Sequence, residues 1–178
     1  MALNKKAVKH FWDSRGKRIK SLSVESISNL EQDDKLLKKK IDLEKQKIES
    51  ITSDILCPDT RILDLGGGSG QWACKFAKIA NHVSLVEFSA NMIEVAKEYS
   101  IKEDLNNIEF FECSAEEFLI EREYDFIWIS GLLIYLNDNE CRKLIDNCFK
   151  MISNSGVLIL RDGTGINSRH EIRDSFSQ

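Results

Sequence analysis

RILDLGGGSGQWACKFAKIA, residues 61–80, joins an apolar run, an acid at Asp64, four glycines in five positions and a helical pattern. The glycines are Gly66, Gly67, Gly68 and Gly70, out of only 9 in the chain. A plain turn does not need that many. Glycine lets the backbone turn tightly and leaves no side chain in the way of a ligand. Amides at the start of the next helix face whatever lies there. The order strand, glycine loop, helix therefore predicts a nucleotide-like ligand beyond the carboxyl end of a first parallel strand.

The chain downstream continues the alternation. RILDL (61–65) reads as a buried strand, and VSLVEF (83–88), IEFFEC (108–113), YDFIWIS (124–130) and GVLILRD (156–162) read as further strands. Between them SANMIEVAKEYS (89–100) and NDNECRKLIDNCFKMI (137–152) read as helices, capped by Ser89 or Asn91 and by Asn137 or Asp138. The first helix is expected to end near Asn81, and SNSG (153–156) reads as a turn leading into the last strand. Strands alternating with helices form right-handed βαβ units, so the expected fold is α/β, a doubly wound, mostly parallel sheet. Upstream, residues 1–56 read as a helical extension. In LLKKKIDLEKQKIESITSDIL, Leu37, Ile41, Ile48, Ile51 and Ile55 share one face, Asn29 with Gln32 forms a candidate cap, and Pro58 stops the pattern.

Composition narrows the function. With 178 residues and 42% hydrophobic content, one domain with an appendage is expected. The net charge of −4 argues against nucleic acid as the main partner. Residues 1–60 carry 13 basic and 10 acidic side chains, a small excess that reads as a solvated helical face. The 5 cysteines are odd in number and form no C-x-x-C, so neither a disulfide framework nor a metal site is expected. No apolar run suggests a signal peptide or a membrane span, and a cytoplasmic protein is expected.

The glycine run admits two readings. Gly68, Gly70 and Ala73 satisfy a loose G-x-G-x-x-A, the dinucleotide pattern. Asp64 followed by Gly66, Gly68 and Gly70 instead resembles motif I of the class I S-adenosylmethionine-dependent methyltransferases. An acid there suits a ligand that bears an ammonium group. Further matches follow in order, covering residues 61–163. Glu87 ends the second strand, where a carboxylate accepts hydrogen bonds from a ribose diol. The resemblance places Phe88 beside it, and Met92 where the family packs a side chain on adenine. It places Ser114 and Ala115 in the third-strand motif, with Ser114 where an acid is common. Ser130 falls under the methionine part of S-adenosylmethionine. The implied sheet order is 3-2-1-4-5, Rossmann-like, with a cofactor-binding domain over residues 57–178.

The same resemblance implies an enzyme that methylates N or O of a small molecule. The Asn/Asp-Pro-Pro-aromatic signature of base methylation cannot occur with one proline. Tyr135, Asp162 and His170 are candidate catalytic residues, because they follow the fourth and fifth strands at the ligand end. KHFWDSRGKR (9–18) offers Trp12 as a lid and Arg15 as a partner for a ligand carboxylate. The family's sixth and seventh strands have no counterpart in residues 163–178. An exposed strand-five edge is then expected to be covered by the N-terminal helix, the tail, a second copy or a partner. The alternative readings are a cofactor-binding or interaction module inactive alone, and an NAD-linked oxidoreductase.

Overall fold

In the computed structural model, which describes residues 4–18 and 34–162, the apolar runs become five strands. They are β1 (Arg61–Leu65), β2 (His82–Glu87), β3 (Ile108–Glu112), β4 (Tyr124–Ser130) and β5 (Ile152–Arg161). All pair in parallel, in the order β3-β2-β1-β4-β5. This is the order expected from the sequence, and it puts the strand-order reversal at β1 and β4. The helices are α1 (Lys5–Arg18), α2 (Asp34–Thr52), α3 (Gln71–Ala77), α4 (Ala90–Lys102) and α5 (Asp138–Met151).

Alternation along each strand divides the core into two layers. Ile62, Val83, Leu85, Phe126 and Trp128 face α3 and Ala96 of α4, with Ile48 of α2 added at the β5 side. Leu63, Leu65, Val86, Ile127 and Ile129 face Leu144, Cys148 and Met151 of α5. Strands buried on both faces read as continuous apolar runs because neither face meets water.

Local signals set most boundaries. Ser89 Oγ caps α4 by accepting the Met92 amide at 3.3 Å. Asn137 and Glu140 form a reciprocal capping box at the start of α5. Asn137→Ala is expected to cost about 1 kcal/mol, read as a lower urea midpoint with an unchanged slope. Two boundaries differ from expectation. Helix α3 stops at Ala77; the Ala80 amide still donates to Phe76 O at 2.9 Å, the Asn81 amide turns to Thr60 O at 3.0 Å, and Asn107 Nδ2 donates to the carbonyls of Ala77 (2.9 Å) and Ala80 (3.0 Å). The SNSG segment lies within β5 rather than forming a turn before it. Tyr124 pairs with Ile152 and Phe126 with Val157, so residues 153–156 stand opposite one residue, Asp125. The Asp125 carboxylate holds this bulge by accepting the Ser153 hydroxyl at 3.2 Å.

Among the described residues the N-terminal extension forms two helices, α1 and α2. The proposed Asn29 cap lies outside the described residues, as do His170 and the tail from residue 163. Helix α1 runs against α4: Asp13 accepts the Ser89 hydroxyl at 2.5 Å, and a Cβ on Gly16 would stand 2.8 Å from that of Asn91. Helix α2 lies beside the outer strand, with Ile48 in the cluster that Val157 and Ile159 join. Among the described residues no helix is long and apolar enough to cross a membrane.

Candidate functional site

A cavity of about 330 Å³ opens where β1 and β4 end, bounded by the glycine loop, α1 and α2. Its size suits a small molecule. Most of the sequence-predicted site residues meet here. Asp64, Gly66, Gly67, Gly68, Glu87 and Phe88 line one part, and Trp12, Met92, Ser114, Ala115, Ser130 and Tyr135 line others. Three do not line it. Gly70 sits in the loop, but a Cβ there would stand 2.9 Å from that of Ala96, so it serves the approach of α3 to α4. Arg15 stacks against Phe11 and Trp12, with its guanidinium carbon 5.4 Å and 6.0 Å from the ring centres. Asp162 holds the turn after β4 by accepting the Leu133 amide at 2.8 Å.

The glycines have separate reasons. A Cβ on Gly67 would fall 2.6 Å from Leu85 Cγ, so close packing beneath the loop forbids a side chain. Gly68 has φ +54, and a Cβ there would meet only Met92 Cε, at 3.7 Å. It is therefore the position that keeps the cavity open. Four amides of the glycine loop are engaged within the protein. Gly66 and Gly67 donate to Val86 O (2.9 and 3.1 Å), and Gly70 donates to Gly67 O at 2.9 Å. The Gly68 amide donates to Glu87 Oε2 at 3.1 Å.

Glu87 thus anchors the loop. Its Oε1 accepts the Ser89 amide at 2.9 Å. A carboxylate has about four lone-pair sites, so acceptor capacity remains for hydroxyl donors of a ligand. Burial pushes the carboxyl up to about 7, against the pull of the Ser89 and Gly68 amides. Asp64 is also pushed up to about 7, by burial first and then by the charge of Glu87. Asp64 Oδ2 is buried without a hydrogen-bond partner.

These two acids shape the pH response. A carboxyl raised in the folded state stabilises the fold fully below its unfolded value near 4, and that contribution is lost as pH rises through about 7. Asp64→Asn removes one such group. The variant's melting temperature is expected to exceed the parent's by more at pH 8 than at pH 5, by roughly 2–4 °C for each further kcal/mol recovered between the two. Scanning fluorimetry at both values checks this; an equal difference at both would exclude the charge as the cause.

Tertiary contacts add Lys5, Glu44, Trp72 and Trp128 to the cavity wall. Lys5 of α1 lines the cavity and pairs with the buried Glu116 and, at 2.8 Å, with Glu140. Trp12 packs with Met92 and Val95 and meets Tyr135 edge-on at 5.9 Å. Trp72 and Trp128, with ring centres 5.4 Å apart, line the side near α2. Glu44 of α2 reaches Arg161 at 2.8 Å. Trp72, directly after the loop at the start of α3, was the one with a usable clue, an aromatic beside the glycines.

The family model described as a methyltransferase domain matches residues 62–156. Phosphoethanolamine N-methyltransferase 1 of Zea mays is 32% identical over 104 residues, covering 57% of this chain and 20% of that protein. The tRNA 5-carboxymethoxyuridine methyltransferase of Escherichia coli (strain K12) is 29% identical over 118 residues, covering 65% of this chain and 44% of that one. Among solved structures, phosphoethanolamine N-methyltransferase 1 of Haemonchus contortus, in complex with phosphoethanolamine and S-adenosylhomocysteine, superposes with TM-score 0.71 at 18% identity. That match covers 99% of this chain and 36% of the other. The chain therefore spans less than half the length of each of these relatives.

Proposed function

This chain belongs to the methyltransferase domain family, and from that premise we propose that it binds S-adenosylmethionine and methylates N or O of a small-molecule acceptor. The observation that carries the reading is the pairing of Gly68 with Glu87. One keeps the cavity free of side chains; the other keeps acceptor capacity for a diol. We read residues 57–178 as the cofactor-binding domain and residues 1–56 as its helical cap.

The residues fit the group chemically. Glu87 takes the ribose hydroxyls, with Phe88 beside it. Met92, Ser114 and Ala115 receive the adenine, and Trp12 covers that side from α1. The unpartnered Asp64 Oδ2 suits a ligand ammonium, and Ser130 lies at the methionine side. When bound, S-adenosylmethionine supplies an electrophilic methyl and its own leaving group. The protein's task is then alignment and exclusion of water. Helices α1 and α2 serve that task by flanking the cavity, and the space they leave suits a small acceptor better than a macromolecule. Tyr135, at the wall against Trp12, is the candidate for orienting the acceptor. Asp162 is engaged by the Leu133 amide and is the weaker candidate.

Calorimetry tests the reading without knowledge of the acceptor. S-adenosylhomocysteine is expected to bind and NAD to leave no heat. At 100 times its dissociation constant the ligand should stabilise the fold by about 2.7 kcal/mol. Binding of NAD without S-adenosylhomocysteine would overturn the proposal.

A further inference from the structure

At the far side of the cavity from Glu116, Arg161 closes β5 against α2. Among the described residues three cations line the cavity, Lys5, Lys45 and Arg161. Lys5 already faces two carboxylates, Glu116 and Glu140. Arg161 faces one carboxylate, Glu44, through Nη2 at 2.8 Å, and one neutral hydroxyl, Ser130 Oγ, through Nη1 at 2.8 Å. These contacts use two of the five N–H donors of a guanidinium. Its backbone is held by the sheet: Ser130 pairs with Arg161, and the Gly131 amide donates to Arg161 O at 2.8 Å. A planar cation on a rigid strand, with donors to spare, matches a carboxylate or phosphate in two-point fashion. The pair with Glu44 is half-exposed, so solvent screens it and a ligand anion can compete for it.

We infer that Arg161 is the anion-reading residue of this cavity, taking a carboxylate or phosphate of the bound small molecule in place of Glu44. Glu44 is its internal stand-in, and Ser130 sets the plane of the guanidinium. The inference rests on the methyl-transfer reading, in which such an anion belongs either to the methionine part of S-adenosylmethionine or to the acceptor.

The test is calorimetry on the full chain and its Arg161→Gln, Arg161→Lys and Glu44→Gln variants. The probes are S-adenosylhomocysteine, methylthioadenosine (the same nucleoside thioether without the amino-acid carboxylate) and phosphoethanolamine. Arg161→Gln is expected to weaken the anionic probe at least tenfold, and Arg161→Lys to restore part of the loss. Glu44→Gln should tighten it a few-fold, because the competing carboxylate is gone. Loss confined to S-adenosylhomocysteine, with methylthioadenosine unchanged, assigns the anion to the cofactor. Loss confined to phosphoethanolamine assigns it to the acceptor. Unchanged affinities in Arg161→Gln overturn the inference. So does equal weakening in Arg161→Gln and Glu44→Gln, which marks a purely structural pair. A parent that binds phosphoethanolamine through Arg161 but no S-adenosylhomocysteine overturns the cofactor reading and leaves the anion site standing. A parent that binds none of the three probes overturns both.

Discussion

Replacing Gly68 with valine is expected to abolish S-adenosylhomocysteine binding, by at least 100-fold, with helix content retained. The Cβ vector at this position points into open cavity, with only Met92 Cε at 3.7 Å. Two further methyl groups would occupy ligand space rather than displace protein. The backbone at φ +54 also resists a branched side chain. That strain costs roughly 1–3 kcal/mol, and it falls on a loop whose neighbouring amides stay bonded to Val86. Gly70→Val is the control, since its side chain would strike Ala96 of α4. That variant should lose stability as well as binding. Circular dichroism and calorimetry on the pair separate the two causes. Normal affinity in Gly68→Val would mean that the ligand lies elsewhere.

Glu87→Ala is expected to weaken the same ligand by roughly 1.5–3 kcal/mol, the usual worth of a charge-assisted hydrogen bond, or about 10- to 100-fold. The change removes the acceptor for ribose hydroxyls. It also frees the Gly68 and Ser89 amides, so the loop loses its anchor. Glu87→Gln keeps one acceptor oxygen and should lose less. Ionisation sets the pH sense. The parent carboxyl, held near 7 by burial, gains acceptor strength as pH rises through that value. Affinity should therefore rise from pH 6 to pH 8 in the parent, and stay flat across that range in Glu87→Gln if Glu87 governs it. A parallel rise in both would place the titrating group elsewhere.

The order of the elements along the chain, and the glycine loop with Glu87 at one end of the sheet, are legible in the sequence. The reason is that their signals are local. An apolar run, a glycine loop and a helix occupy 20 consecutive residues, Arg61 to Ala80. The acid at Glu87 follows at the end of the next strand, and parallel pairing brings both to one end of the sheet. Caps at Ser89 and Asn137 are likewise written within four residues. The length of α3 was not legible in this way, because Asn107, which donates to the carbonyls of Ala77 and Ala80 at its end, belongs to the segment before β3.

Four glycines in one motif looked alike as letters. Only packing distinguishes Gly67, pressed on Leu85, and Gly70, pressed on Ala96, from Gly68, which faces the cavity. The glycine loop's use of its own amides also depends on where the Glu87 side chain turns. The ion pairs around the cavity have no sequence signature. Lys5 meets Glu116 across 111 positions, and Glu44 meets Arg161 from a helix that precedes the whole sheet. Periodicity and caps are properties of neighbours along the chain, so the sequence determined the elements and their order along it. Which side chains share a cavity is a property of neighbours in space. The tertiary structure alone decided that α2 walls the site, that Arg15 stacks outside it, and that Glu44 meets Arg161 there.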